Sequence, residues 1–267
     1  MQTINLTRHK TGASTLCKHF GCGITVCDVG VNADIKEPKV LNQKIAYGTQ
    51  NIVRGPAMSR DQAIQAIITG MELAANTEAE VLGIGEMGIG NTTTSSAILS
   101  VLLDYPIDLA TGRGSGLTDA GLMRKRAAIA RGIEVNQPDK EDVLDVLSKL
   151  GGFDIAGMTG AFLGGALYNV PIIMDGFISG IAALCAVRLC PHVRDYILPS
   201  HISAEPAGLA LAEALGFAPI LHGDMRLGEG TGAVALMPLL DLGLSVLHNA
   251  ATFAGIQVEA YEKWTSK

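Results

Sequence analysis

VLGIGEMGIGNTTTSSAILSVLL, residues 81–103, carries the sequence pattern that sets the fold class. Residues 81–84 form a short apolar run suited to a buried strand. Residues 93–103 place apolar side chains at helical spacing. Between the two lie Glu86, Met87, Gly88, Ile89, Gly90 and Asn91. Glycines between a strand and a helix let backbone N–H groups approach an anion, and the helix start favours its charge. A tight structural turn reads the same way. The spacing matches neither GxGxxG nor a Walker A loop. Glu86 is the unusual residue here, because a carboxylate repels phosphate and is better suited to a hydroxyl or a base nitrogen.

The same alternation extends outward from this stretch. Strands are expected at 23–29, 171–174, 196–199 and 219–222. Helices are expected at 59–76, 118–133, 139–150, 155–167, 178–189, 207–215 and 231–249, the last broken or bent near Pro238. Strands alternating with helices predict an α/β fold, doubly wound, with a mostly parallel sheet covered by helices on both faces. A single α/β domain over 1–267 follows, with the terminal helices forming a small helical subdomain. In such sheets ligands bind outside the carboxyl ends of the strands, where the glycine-rich segments gather.

Composition narrows the function classes. Of 267 residues, 48% are hydrophobic and 17% charged, with a net charge of −6. The low charged fraction points to a buried partner surface or a large interior. An acidic chain lacks the basic footprint of a nucleic-acid binder. The apolar stretch 170–190 contains Pro171, Asp175 and glycines, so it reads as a strand and a buried helix rather than a membrane span. The five cysteines form no CxxC pair. That pattern fits a reducing, cytoplasmic location and small core residues. No metal-ligand spacing is present.

Four further segments hold chemistry-bearing residues. TGRGSGL, with Gly112, Arg113, Gly114, Ser115 and Gly116, precedes a helix bearing Lys125 and Arg126. Glycines, a hydroxyl and cations make a phosphate cradle, or equally a flexible loop beside a basic helix. In MDGFIS, Asp175 and Gly176 follow an apolar strand. Asp175 is placed to meet ribose hydroxyls or to cap the next helix. SHISAE brings Ser200, His201, Ser203 and Glu205 together without a GxSxG elbow, which favours a capped helix start over a nucleophilic unit. In MRLGEGTG, Leu227 precedes Glu229, which stands between glycines ahead of an apolar helix. A carboxylate desolvated in such a pocket becomes a usable general base, and the helix dipole also favours one there.

GEMGIGNTT, GRGSGL, NQP, GGFDIAGMTGA, PIIMDGFIS, SHISAEPAG and RLGEGTGA occur in this order. Together they resemble the nicotinate-nucleotide–dimethylbenzimidazole phosphoribosyltransferase family, from about Gly12 to His248. The resemblance implies a doubly wound α/β homodimer that displaces nicotinate from nicotinate mononucleotide with a benzimidazole-type base and needs no cofactor or metal. It implies that Glu229 accepts the imidazole proton and that Glu86 is the second carboxylate, near base and ribose. Met87, Gly88, Ile89, Gly90, Asn91, Gly112, Arg113, Gly114, Ser115, Gly116 and Lys125 are implied nucleotide and phosphate contacts. Asp175, Gly176, Ser203 and Leu227 are further implied pocket residues.

Family members carry an N-terminal segment ahead of the TGAS motif, here residues 11–14, that helps form the base pocket. The expectation is a chain that binds nicotinate mononucleotide but turns over poorly by itself. Adenine or a phenol as acceptor, and an inactive nucleotide-binding homologue, remain as alternatives.

Overall fold

The computed structural model describes residues 1–261. The chain opens with α1 (Gln2–Thr7) and α2 (Gly12–Phe20), followed by β1 (Val26–Asp28) and β2 (Val40–Asn42). Helix α3 (Arg60–Ala75) leads into β3 (Leu82–Gly83), α4 (Asn91–Leu102), the short α5 (Ile107–Ala110) and α6 (Asp119–Asn136). Next come α7 (Val143–Leu150), α8 (Phe153–Tyr168), β4 (Ile172–Met174) and α9 (Phe177–Leu189). A 3-10 helix, Pro191–Tyr196, precedes β5 (Ile197–Pro199), and α10 (Gly208–Leu215) and α11 (Thr231–Asn249) follow.

The strands β3, β4 and β5 form one parallel sheet in that order, with Leu82 opposite Ile172 and Ile173 opposite Leu198. Alternation along β4 divides its side chains between two layers. Ile173 packs with Ala233 and Leu236 of α11, while Ile172 and Met174 join the main core built from α3, α4 and α7 to α9. Helices therefore cover both faces, as the α/β reading required.

Four expectations need correction. The strand expected at 23–29 does not join this sheet; β1 pairs in parallel with β2, which the sequence did not reveal, in a separate two-stranded sheet. The strand expected at 219–222 shrinks to a single parallel bridge between His201 and Leu221. Helix starts follow local capping chemistry. Ser59 and Gln62 close a capping box ahead of α3, and Thr118 accepts the Gly121 N–H ahead of α6. The helix expected from 139 starts at Val143 instead, because Asp142 accepts the N–H groups of Leu144 and Asp145. Helix α11 runs unbroken through Pro238.

The tightest packing joins α3 to α8. A Cβ on Gly160 would collide with the carbonyl oxygen of Ile67, and one on Gly70 with that of Gly157. Small residues let these two backbones touch, so the glycine-rich face of α8 is a packing device. Gly160→Ala is therefore expected to lower stability by about 2 kcal/mol. Gly243 lies in α11 with nothing within 4 Å of an added Cβ. Gly243→Ala should raise stability by about 0.5–1 kcal/mol through helix propensity alone. Urea unfolding of both variants checks the opposite signs.

Candidate active site

Glu229 occupies a left-handed turn. Gly228, Glu229 and Gly230 have φ values of 75°, 63° and 92°. A glutamate there costs about 1 kcal/mol, so the surroundings must impose the shape. Asp175, at the end of β4, does so. Its Oδ2 accepts the Gly230 N–H at 3.1 Å and its Oδ1 the Gly232 N–H at 2.6 Å. Gly85 presses on the same turn, since a Cβ at that position would strike the Glu229 carbonyl oxygen. The Glu229 side chain is anchored by one oxygen only: Oε2 accepts the Ala13 N–H, in the first turn of α2, at 3.0 Å. Among the described residues, no donor engages Oε1.

Glu86 lies against this turn. A Cβ on Gly228 would be 2.9 Å from Glu86 Oε1. The other oxygen, Oε2, accepts the Gly88 N–H at 2.8 Å and the Asn91 side-chain amide at 2.5 Å. Burial pushes the Glu86 carboxyl up to about 7, the two hydrogen bonds hold it back, and nearby Asp154 and Asp175 push it further. Since Oε2 already holds two donors, a proton bound near neutrality belongs on Oε1, the oxygen beside the Glu229 turn.

The third part is cationic. Lys125 is buried, and its Nζ donates to Thr92 Oγ1 and to the Gly112 carbonyl, each at 2.9 Å. An ammonium has three donors, so one N–H stays available. Burial lowers the Lys125 pKa and Glu205 opposes that. Gly114, with φ 53°, passes over Thr92 and Lys125. Gly90 is the N-cap of α4, where the Asn91 and Thr93 N–H groups donate to the Gly88 and Gly90 carbonyls.

Comparison with known proteins places this arrangement. A phosphoribosyltransferase family model matches residues 1–258. The chain belongs to this family. Among relatives named nicotinate-nucleotide–dimethylbenzimidazole phosphoribosyltransferase, that of Clostridium tetani is 46% identical over 253 residues, 94% of this chain and 70% of the relative. That of Ruminiclostridium cellulolyticum is 47% identical over 263 residues, 97% and 75% of the two chains. The crystal structure of CobT from Thermus thermophilus superposes with a TM-score of 0.91 at 36% identity, covering 97% of this chain and 79% of that one.

Within this phosphoribosyltransferase, several residues sit differently from expectation. Asp175 is 3% exposed and spends both oxygens on backbone N–H groups, so it shapes the Glu229 turn and does not reach ribose hydroxyls. It caps neither α9 nor any nearby helix in sequence; it caps α11. Arg113 turns out of the cradle, donating to the Leu117 carbonyl and pairing with Asp119. Ser200 is fully buried and donates to the Asp175 carbonyl at 3.0 Å, while His201 Nδ1 lies 3.0 Å from Ser200 Oγ. That pair is held inside the protein by its own hydrogen bond, but the capped helix start expected of SHISAE is not there: α10 begins at Gly208, and its N-cap Ala207 receives no side-chain cap bond. Gly176 adjoins His201 and Ser203. Ser203 Oγ accepts the Glu205 N–H at 3.3 Å. Ser115 and Gly116 are exposed, and Met87 is partly buried. Ile89 and Leu227 are 90% and 63% exposed, large apolar side chains presented on the two loops.

The sequence reading gave two participants no place at the site. Glu205 packs over Gly112 beside Lys125. Asp154 bonds Asn91. An acidic residue two positions after the Gly151–Gly152 pair was the available signal for the second. Among the described residues, no group of three or more His, Cys, Asp or Glu is arranged to hold a metal ion.

The Glu86 carboxyl has a stability consequence with a definite sign. Its folded-state pKa of about 7 lies above the ordinary value of 4.5, so ionising it opposes folding. The destabilisation is absent at pH 4, grows between about pH 4.5 and 7, and is complete above 7. Glu86→Gln should thus leave stability nearly unchanged at about pH 4 and raise it by about 3 kcal/mol at about pH 8. Chemical denaturation at the two pH values checks the difference.

Proposed function

We propose that this chain transfers the phosphoribosyl group of nicotinate mononucleotide to 5,6-dimethylbenzimidazole, releasing nicotinate and forming alpha-ribazole 5'-phosphate. The observation that carries the reading is the meeting of two turns. They bring Glu229 and Glu86 together, each with one oxygen bonded to backbone N–H donors and one left over. The names of the relatives support the same reaction.

The chemistry follows from the groups present. The unprotonated imidazole nitrogen attacks C1′ on the face opposite nicotinate, and the sugar inverts from β to α. Nicotinate departs with the electrons of the C–N bond, which neutralises its pyridinium ring. The attacking imidazole, now bonded to C1′ and positively charged, gives up the proton on its other nitrogen to Glu229 Oε1. Ionised Glu86 offsets positive charge at the anomeric carbon. Lys125, Thr92 and the start of α4 hold the phosphate. Much of the acceleration then comes from positioning, which suits a site without a strong nucleophile.

A cavity of about 530 Å³ adjoins Glu229 and is lined chiefly by apolar atoms of Lys10, Thr11, Gly12, Leu16, Met225 and Leu227. It has room for a bicyclic base.

We also read the enzyme as a cytoplasmic homodimer and as a single domain whose terminal helices form a small subdomain. Exposed Leu242, Leu244, Val246 and Leu247 on α11 support a partner surface. The packing of α2 on α11 supports the subdomain. By length and composition α11 could cross a membrane; Ala233, Val234 and Leu236, buried under the sheet, support a helix seated in the protein. The net charge of −6 supports the absence of a nucleic-acid partner.

Assays of the purified chain with nicotinate mononucleotide and dimethylbenzimidazole, adenine or p-cresol test the reading. The highest kcat/KM is expected with dimethylbenzimidazole. Glu229→Gln should lower kcat by roughly 10²–10³-fold while nucleotide affinity stays within about twofold. Nucleotide binding without product from any acceptor would mean an inactive homologue.

A further inference from the structure

We propose that Asp154 acts through the Asn91 amide as a positioning residue for Glu86. This rests on the reading of Glu86 as the second carboxylate of the reaction. Asn91 is buried at the start of α4, and its side-chain nitrogen donates to Glu86 Oε2 at 2.5 Å and to Asp154 Oδ2 at 2.7 Å. Both N–H bonds of one amide therefore join two carboxylates. The arrangement also fixes which way the amide faces, since its oxygen in that place would confront two acceptors.

Asp154 is placed firmly. It lies in the first turn of α8, where the helix dipole favours a carboxylate. That helix packs its glycine face on α3 in the main core. Its Oδ2 also abuts Gly88, where any Cβ would collide with it. Asp154 thereby ties the glycine loop 85–90 to the most closely packed helix pair in the molecule. Among the described residues, no cation pairs with Asp154 within ion-pair distance. Two carboxylates sharing one amide, with no cation beside them, repel each other. A purely structural contact would avoid that cost. The consequence falls on Glu86: its Oε2 is held on the loop side, its Oε1 is directed at the Glu229 turn, and its proton is bound more tightly.

The charged groups acting on Glu86 are Asp154 from α8 and Asp175 from the end of β4, while Gly228 of the Glu229 turn adjoins its Oε1. Only Asp154 reaches it through a shared side-chain donor. Asp154→Asn keeps an oxygen to accept from Asn91 and deletes the charge. Asp154→Leu deletes both.

The test has two arms on the full chain. In the first, the Glu86 carboxyl is titrated by carbon-13 NMR with labelled glutamate, its resonance assigned by loss in Glu86→Gln. The midpoint should fall by about one pH unit in Asp154→Asn, because a neighbouring negative charge has gone. In the second, kcat/KM is followed against pH. The rise near pH 7 should move down in parallel in Asp154→Asn. For Asp154→Leu, kcat should fall at least about tenfold with KM for nicotinate mononucleotide within about twofold. An unmoved carboxyl midpoint in folded Asp154→Asn overturns the proposal. Should that variant fail to fold, Asp154→Ser, which retains a side-chain oxygen and no charge, takes its place in the titration. Lack of transfer by the wild-type chain would sink the functional reading instead, while the titration would still decide the role of Asp154.

Discussion

The site depends on one buried carboxylate answering a helix start. Asp175 ends a strand whose residues are fully enclosed, and it has lost nearly all contact with water. Burying an ionised carboxylate is unfavourable unless donors replace the solvent. The Gly230 and Gly232 N–H groups supply them, and the positive end of α11 adds to the attraction. This bond pattern fixes the entry of α11 against β4 and forces the preceding residues into successive left-handed conformations. Glu229 is held in that turn, and its side chain is projected by backbone geometry rather than by its own packing. Burial raises the Asp175 pKa and the nearby His201 draws it down. The pair thus shares its charge inside the protein, away from substrate.

The parallel sheet explains why so many loops arrive at one place. With β3, β4 and β5 all pointing the same way, each delivers its following turn to the same edge. The turn after β3 carries Glu86, the turn after β4 carries Asp175, and the segment after β5 carries His201 and Glu205. Contact between Gly85 and the Glu229 turn is possible only because no side chain intervenes. The fold supplies convergence, and glycine supplies the last few ångströms of approach.

Much of this was legible because the relevant signals are local. Capping residues such as Ser59 and Thr118 act on N–H groups within a single turn. The apolar runs at β4 and β5 are bounded by glycine, serine or aspartate, and α11 was placed from 231 to 249 as observed. What escaped reading depends on partners distant in the chain. Strand β2 has two of its three residues exposed, so it carries no hydrophobic pattern. Helix α2 begins with a Thr11–Ser14 capping box, which lacks the glutamate or glutamine that usually marks one. Asp175 bonds residues 55 and 57 positions away. No spacing rule identifies such a partner. Arg113 was expected among the phosphate contacts, yet it pairs with Asp119, six residues on.

The distribution of charge gives the arrangement its chemical sense. Glu86, Asp154, Asp175 and Glu229 gather around two touching turns, and the only nearby compensation among the described residues comes from backbone N–H groups, one amide and a histidine. Lys125 stands apart, around Thr92 and the Gly112 loop. On the proposed reading, a nucleotide bound across these two regions would have its phosphate at the cationic part and its pyridinium-bearing carbon at the anionic part. The positive charge of that substrate begins on the nicotinate ring and passes to the sugar as the glycosidic bond lengthens. Fixed carboxylates can follow that movement without reorienting, whereas water would have to turn. The local destabilisation of an empty site crowded with acid groups is then the counterpart of its affinity for a cation that exists only in transit. The glycine-packed α3–α8 core is what allows the fold to tolerate it.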